Sequence, residues 1–593
     1  MIVPMKKYSF LIHHSDYEVF LKELQGMGAL DVVDRKAEPT EETVIQIQQL
    51  RQYERIIKFL KGKQVEGMAS AMEATKEPVE ILDEIVKLQL EHESLRQKAA
   101  GLLKQYNLAK PWGDFSVNLV GKLAKEGIYI RFFVVAEKRF NAEWANQYNL
   151  EVISLMDGMT HFVVVQRDNK AIDIDAEEMK MPERSANEIL VEKDEFHRRI
   201  DEIEQFFKNS SSFLPVLEEA KLILENKISF TKVVQNTGKE AEDHLMVLEG
   251  WLPSNRQKEF EDFLEQRGHF YFTSKATPDE NVPVLLKNNR FARLFEPIGN
   301  LYSLPTYSEL DLTPFFAPWF MLFFGFCMGD VGYGLIVVLA SLILKKFVSA
   351  ELKPILSLGV FLGLATILFG FISGTIAGFD METIKAFDPV KFIMLNDKEL
   401  FYLALAIGMV QILFGLGIQA YAKMRQFGFQ YALSTIGIII GTLAVLDLTI
   451  IKVLGEVSMY FVYLSLALII FWSDPKLGIF GRLGKGIWDL YGIVTGIFGD
   501  VLSYIRLFAL GASSGILGFV INSISLPLLD SIPVLGPILF VIVMIVGHGA
   551  NLALAGLGSF VHPMRLTFVE FYKNAGFAGG GKAYKPFKNL ENR

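Results

Sequence analysis

The chain has 593 residues, 51% of them hydrophobic and 21% charged, with a formal net charge of −8. An evenly mixed soluble fold is excluded, because the charge is segregated: residues 1–311 are rich in Glu, Lys, Asp and Gln, and from Pro314 apolar runs long enough to cross a bilayer recur. The acidic balance argues against nucleic-acid binding, and a single cysteine, Cys327, rules out a disulfide framework or a thiolate metal site.

The opening "MIVPMKKYSFLIHHSDYEVF" has neither a long apolar core nor a cleavage site, so it does not read as a secretory signal and the N-terminal half is expected in the cytoplasm. Tyr8–Ile12 reads as a strand. Asp16 is placed to cap a helix carrying Phe20, Leu21 and Leu24, which Gly26 and Gly28 end before a second strand at Leu30–Val33. The segment from His244 repeats this order, with Ser254 ahead of a helix carrying Phe260 and Phe263. Further strands are expected at Ile128–Val135 and around Val152–Val165. These segments predict two small α+β lobes.

Long helical stretches lie between them. Ile81, Ile85, Leu88 and Leu95 recur at three- and four-residue spacing, and the style continues through "ANEILVEKDEFHRRIDEIEQFF" and Leu217–Ile228. The pattern predicts an antiparallel coiled-coil rod joining the lobes; an ordinary helical hairpin domain fits it equally. Residues 62–78 read as a loop, and the proline-rich run 293–314 reads as the junction between the halves.

Apolar spans are expected at 314–347, 354–378, 400–422, 429–451, 457–472, 487–521 and 532–562. At about 1.5 Å per residue the first is too long for one crossing of a ~30 Å core. "MGDVGYG" lies in its middle, so it divides into two, giving about eight spans and both termini on one side. Positive charge supports a cytoplasmic N-terminus. The inside loops would hold Lys345, Lys346, Lys353, Lys423, Arg425, Lys476, Arg482 and Lys485, and the tail Lys573, Lys582, Lys585 and Lys588. Outside loops would hold Lys385, Lys391, Lys398 and Lys452.

The last two spans are long and polar. Gly499, Ser503, Arg506, Ala509 and Ser513 share one face of the seventh, and His548, Asn551, Ala555, Ser559 and His562 share one face of the eighth, with Arg565 one step beyond. A mid-membrane arginine costs at least ~2.5–3.5 kcal/mol and stays protonated. It cannot relay protons itself; it can serve as a fixed cation that meets a carboxylate, and a structural arginine paired with an acid on another span, or one snorkelling to an interface, fits equally. Asp500, six residues back, is about 240° around the helix and does not face it. "GFAGGGK" (Gly576–Lys582) fits G-x-x-x-x-G-K, but it follows a membrane span and Ala583 takes the Ser/Thr place, against a nucleotide site.

"SYIRLFALG", "VHPMRLTFVEF", "FAGGGKAYKPF", "MGDVGYG", "PTYSELDLTP" and "VLEGWLP" together resemble subunit a (subunit I in prokaryotes) of the rotary V-type and A-type ATPases, in order along nearly the whole chain. The resemblance implies an α-helical polytopic membrane domain and an N-terminal cytoplasmic α+β domain with two lobes and a coiled-coil rod. Its domains would be 1–311 (stator), 312–573 (ion translocation) and 574–593 (cytoplasmic tail). It further implies a non-catalytic stator subunit in a prokaryotic plasma membrane, forming two half-channels against a rotor ring and coupling H⁺ or Na⁺ movement to rotation. Arg506 falls on the family's essential arginine, and Arg565 is the second ion-translocation residue. Half-channel candidates are Asp330, Ser503, Ser513, His548, Asn551, Ser559, His562 and Glu570. Implied partners are rotor-ring proteolipids, peripheral-stalk subunits, a central-stalk adaptor and the lipid bilayer; no cofactor, metal or nucleic acid is implied. Two positions depart from the pattern: Ala555 stands where eukaryotic members carry glutamate, which leaves the exit-channel set open, and Pro563 interrupts the eighth-span motif. An ion-coupled secondary transporter with a cytoplasmic regulatory domain is the alternative; it predicts inverted repeats, which the membrane half does not display.

Overall fold

The computed structural model describes residues 1–35, 38, 40–63, 77–168, 170–240, 244–277, 280–529, 533 and 535–590. They fall into two units, Met1–Val33 with Gly238–Phe587, and Asp34–Thr237 with Lys588–Arg593. Most of the loop expected at 62–78 lies outside the described residues.

In the first unit, the two strand–helix–strand segments join in one sheet. Met5–His13 runs antiparallel to Leu245–Pro253 on one side and to Tyr271–Lys275 on the other. Asp31–Val32 and Gly238–Glu240 complete it. The period of a strand turns Tyr8, Phe10 and Ile12 inward. The helices Tyr17–Met27 and Gln257–Arg267 cover that face, with Phe20 packed 5.2 Å from Phe10 and Phe260 5.3 Å from Tyr8. Gly28 ends the first helix in the left-handed region (φ 58°), where a side chain would be strained. Asp16 occupies the N-cap position but accepts no helix N–H; it is held by the Ser15 hydroxyl instead. Ser254, ahead of the second of these helices, donates its hydroxyl to the Pro4 carbonyl.

The second unit holds a four-stranded antiparallel sheet in the order Leu150–Met156, Met159–Gln166, Tyr129–Ala136, Glu177–Met179. The segment read as one strand region near Val152–Val165 is thus a hairpin, turned at Asp157 and Gly158, both with positive φ. Four helices pack in antiparallel pairs. Glu41–Lys61 lies against Leu214–Gln235, with the Gln235 amide donating to Thr43 at one end and Leu60 packed with Leu217 at the other. Pro78–Ala109 lies against Ala186–Asn209: Ile81 and Ile85 cluster with Ile203 and Phe207, and Leu102 and Ala109 with Ile189. Leu88 and Leu95 pack partly buried beside the first cluster. Ser185 and Glu188 form a capping box that fixes where Ala186–Asn209 starts.

The remainder of the first unit is mainly helical. The predicted junction 293–314 contains a short helix, Glu296–Tyr302, with Pro297 in its first turn, where proline is tolerated. Five helical segments among the described residues are long and apolar enough to cross a membrane: Lys353–Ser373, Asp397–Phe427, Phe429–Ile451, Ile479–Leu528 and Leu535–Ala575. Three more apolar helices, Thr313–Met328, Val331–Leu344 and Val457–Trp472, are shorter. In chain order these eight run from the first, Thr313–Met328, to the seventh, Ile479–Ser525, and the eighth, Leu535–Arg565. The long run 314–347 does break where expected, at Gly329 (φ 43°) and Asp330. The first helix is apolar all round because it is enclosed; Phe316, Phe320, Phe323, Phe324 and Phe326 are all buried. It packs on the third, seventh and eighth helices. Pro563 lies inside the eighth helix, and a wider π turn, Leu566–Phe571, follows.

Candidate functional site

The seventh helix, 47 residues long, packs on the first, fourth, sixth and eighth. Its packed face repeats every three or four residues: Asp500, Tyr504, Leu507, Ser514, Gly518 and Asn522 are buried. The opposite face carries the predicted stripe. Gly499, Ala509 and Ser513 are exposed, Ser503 and Arg506 half-buried, and a Cβ added at Gly499 would meet nothing. Arg506 stands near the middle of the helix. Among the described residues it forms no ion pair, and its buried Nη1 has no hydrogen-bond partner. Cys327 of the first helix and His562 of the eighth are within its electrostatic reach.

Beyond Arg506, toward the C-terminal end of the seventh helix, a polar network links three helices and a loop. The Asn551 amide donates to the Tyr333 hydroxyl (2.8 Å) and to the Ser514 carbonyl (3.1 Å). The Tyr333 hydroxyl is 2.7 Å from His548 Nδ1, and His548 Nε2 is 2.9 Å from Asn522 Oδ1. The Asn522 amide nitrogen donates to the Ala377 carbonyl (2.9 Å), which leaves Oδ1 as the acceptor facing His548. The proton on His548 is therefore assigned to Nε2, and Nδ1 accepts from tyrosine. Asp330 is buried and engaged by backbone: it accepts from the N–H groups of Tyr333 (3.0 Å), Ala377 (2.8 Å) and Gly378 (3.0 Å). Gly378 (φ 74°) sits so close to Gly518 that an added Cβ would lie 2.3 Å from the Gly518 carbonyl carbon. This approach admits only glycine.

Toward the other end of the helix, Asp500 accepts from Lys573 Nζ and from the Asn574 amide. Glu570 is buried beside Ser503, with Oε2 unpartnered. The Ser503 hydroxyl donates to the Gly499 carbonyl (3.1 Å). Arg565 is exposed, and Ser559 is buried with an unpartnered hydroxyl. Two cavities line the seventh helix on either side of Arg506. One, of about 420 Å³, is bordered by Phe508, Gly511 and Gly515 of that helix with Ser373, Asp380 and Asp397. The other, of about 450 Å³, is bordered by Lys485, Asp489 and Asp500 with Lys423, Ser473 and Lys573. Six of the ten unpartnered buried side-chain atoms among the described residues belong to Gln411, Arg506, Ser514, Ser559, Thr567 and Glu570. Such atoms call for water, an ion or another chain, and here they gather on the fourth, seventh and eighth helices and the turn that follows.

The structure thus brings Asp330, His548 and Asn551 together on one side of Arg506, and Ser503 and Glu570 on the other. Ser513 faces outward and joins neither group. Sequence reading overlooked Tyr333, Asn522, Ser514 and the Asp500–Lys573 pair. The three- and four-residue repeat of Asp500, Tyr504, Ser514 and Asn522 was the available signal for a second polar face. The "GFAGGGK" segment follows the helix Tyr572–Ala575 rather than a strand. Its N–H groups are already taken: those of Ala578 and Gly579 reach the Glu309 carboxylate, and that of Gly580 the Ser303 hydroxyl.

These features define a helical protein with several helices apolar enough to cross a membrane and with charged and polar side chains set along two of the longest. Residues 150–354 match the family described as V-type ATPase 116kDa subunit family. The V-type ATP synthase subunit I of Borreliella burgdorferi is 26% identical, aligned over 100% of both chains, and subunit I 1 of Treponema pallidum is 24% identical over 99% of this chain and 100% of its own. The A-type ATP synthase subunit I of Methanothermobacter thermautotrophicus is 31% identical over 58% of this chain and 52% of its own. A crystal structure of the cytoplasmic N-terminal domain of subunit I aligns with 46% of this chain at 14% identity and a TM-score of 0.19, too low to bear on the fold. The chain is thus similar, over its whole length, to subunit I of prokaryotic V-type ATP synthases, and over part of it to that of A-type ATP synthases.

Proposed function

We propose that the chain is the stator membrane subunit of a rotary V/A-type ATPase, forming two ion half-channels against a rotor ring. In this reading all eight apolar helices cross a prokaryotic plasma membrane, with both termini cytoplasmic, as the distribution of lysine and arginine supports. Residues 1–311 form the cytoplasmic stator part, in which the paired helices serve as a coiled-coil rod and the lobes hold peripheral-stalk subunits. Residues 312–573 translocate the ion, and 574–593 form the tail. A central-stalk adaptor is a further partner.

One observation carries the reading. Arg506, a permanent cation, has no acid partner among the described residues and lies on a small-residue face open to a neighbour, with a cavity on each side of it along the helix. A cation in an apolar site favours the ionised form of a carboxylate that comes beside it. A rotor carboxylate meeting Arg506 would release its H⁺ or Na⁺ into one half-channel. After rotation it would reload from the other, while the fixed charge blocks a direct leak. His548 and Asn551 would border the outer path, and Asp330, a half-channel candidate by sequence, would brace its wall through the backbone N–H groups it accepts. Ser503, Ser559, His562, Arg565 and Glu570 would border the inner one, and Ser513 would meet the rotor surface. The chain holds no nucleotide in this scheme, so catalysis would belong to other subunits.

The test is Arg506→Ala in the reconstituted complex. Assembly with the ring proteolipid should persist while ATP-driven ion uptake into vesicles is abolished. Normal pumping by the variant, or transport of a solute by the wild-type chain alone, overturns the reading.

A further inference from the structure

We propose that His13, His14 and His244 form a binding site for a d-block divalent cation at one edge of the N-terminal sheet. His13 is the last residue of the strand Met5–His13, and His244 immediately precedes its antiparallel partner Leu245–Pro253, with His13 opposite Leu245. The chain turns directly after His13, and the His14 N–H donates to the His244 carbonyl at 3.1 Å. That turn breaks the up-down alternation of the strand, so two consecutive histidines converge on the same side as the third. The rings of His13 and His14 are 4.3 Å apart and those of His14 and His244 5.5 Å. One ring nitrogen from each lies within 4.8 Å of the others.

Tetrahedral zinc with Zn–N bonds of about 2.0–2.1 Å holds its nitrogens roughly 3.4 Å apart. All three side chains are exposed, and small χ rotations of His14 and His244 toward His13 would close the spacing to that value. One ligand is already oriented by its surroundings. His13 Nδ1 is 2.9 Å from the Ser15 hydroxyl, which in turn donates to Asp16 at 3.0 Å. The Ser15 N–H also points at Nδ1 (3.4 Å), so both Ser15 contacts engage Nδ1 and leave Nε2 as the nitrogen available to a metal. Metal-bound histidines carry this kind of outer partner. The same contact accounts for Asp16 failing to cap its helix.

Three neutral imidazoles suit Zn²⁺, Ni²⁺, Co²⁺ or Cu²⁺ and not the hard cations Mg²⁺ or Ca²⁺. Three protein ligands leave a fourth position to water. The bound ion would pin the end of one central strand to the start of its neighbour. None of this depends on the ion-translocation reading.

The experiment is a Co²⁺ titration of the full chain in detergent, read by visible absorption. Expected are one tight equivalent with the intense bands of four-coordinate cobalt, displacement by Zn²⁺ and indifference to Mg²⁺. His14→Ala and His244→Ala should each weaken binding roughly a hundredfold, and Ser15→Ala about tenfold. The triple variant His13→Ala, His14→Ala, His244→Ala retains the other six of the nine histidines and measures background. Equal Co²⁺ binding by wild type and triple variant, or weak six-coordinate bands only, overturns the proposal. Circular dichroism of each variant confirms that the sheet is intact.

Discussion

Lys573 Nζ reaches both carboxylate oxygens of Asp500, at 3.1 and 3.3 Å, tying the turn beyond the eighth apolar helix to the seventh. The pair is lopsided. The Asp500 side chain is 11% exposed and that of Lys573 55%. Removing the lysine leaves a carboxylate in a buried place with the Asn574 amide as its one remaining donor among the described residues, whereas removing the charge on Asp500 lets Lys573 turn to water.

Lys573→Met should therefore cost more than Asp500→Asn. We expect about 1–3 kcal/mol for the first, the penalty of a buried polar group left short of partners, and under about 1 kcal/mol for the second. Thermal unfolding of the purified variants in detergent measures both. Equal losses would mean that exposure does not govern this pair.

Arg506→Lys should fail in ion transport almost as completely as Arg506→Ala. The two side chains carry the same charge at neutral pH, but lysine loses its proton readily when desolvated and presents a single ammonium instead of a planar fork. The vesicle assay with both variants decides this. Near-normal pumping by the lysine variant would show that any cation at this position suffices. For Arg565, which is exposed at the end of its helix, substitution by alanine should give only a partial defect, read in the same assay.

What could be read from sequence followed from local rules. The break at Gly329 and Asp330 was legible because a left-handed glycine and an aspartate N-cap are both written in residue type. The open face around Arg506 was legible because helical period depends only on spacing. The partner of Asp500 was not, since which lysine reaches it depends on how the chain returns 73 residues later. The Tyr333–His548 contact spans 215 residues and is equally a product of packing. Asp16 shows a local rule overridden locally: the Ser15 hydroxyl claims the carboxylate expected at the helix. The short helix at Glu296–Tyr302 escaped because its two turns lie among prolines that read as a loop.

Asp330→Asn tests whether this residue braces the fold or lines a path. Both oxygens of Asp330 accept backbone N–H groups, three in all. Asparagine replaces one acceptor with an NH₂ that points at a donor. The variant should lose about 1–3 kcal/mol of stability, and any fall in transport should track the fraction of intact complex. A variant of wild-type stability with impaired transport would instead make Asp330 a channel residue.

Asp31 gives the stability of the first unit a pH dependence with a definite sign. It is 6% exposed on the sheet, where its carboxylate accepts the Lys585 N–H at 2.8 Å. Burial raises its pKa to about 6, opposed by that N–H and by the charges of Lys582 and Lys585. In the unfolded chain an aspartate titrates near 4. Between about pH 4 and 6 the folded form therefore holds a proton that the unfolded form has lost, so stability falls as pH rises through this window and levels off above it. A gap of about two pKa units corresponds to on the order of 3 kcal/mol. The segment around Lys585 lies along the same sheet edge, with the Phe587 N–H donating to Leu30 and the Tyr584 hydroxyl to Ala29. Hydrogen exchange at 583–587 should slow as pH is lowered from 7 to 5, after correction for intrinsic rates. Asp31→Asn keeps the acceptor and removes the titration, so it should show no such trend. A wild-type chain whose corrected protection is flat across pH 5–7 would mean that Asp31 is already ionised as freely in the fold as outside it.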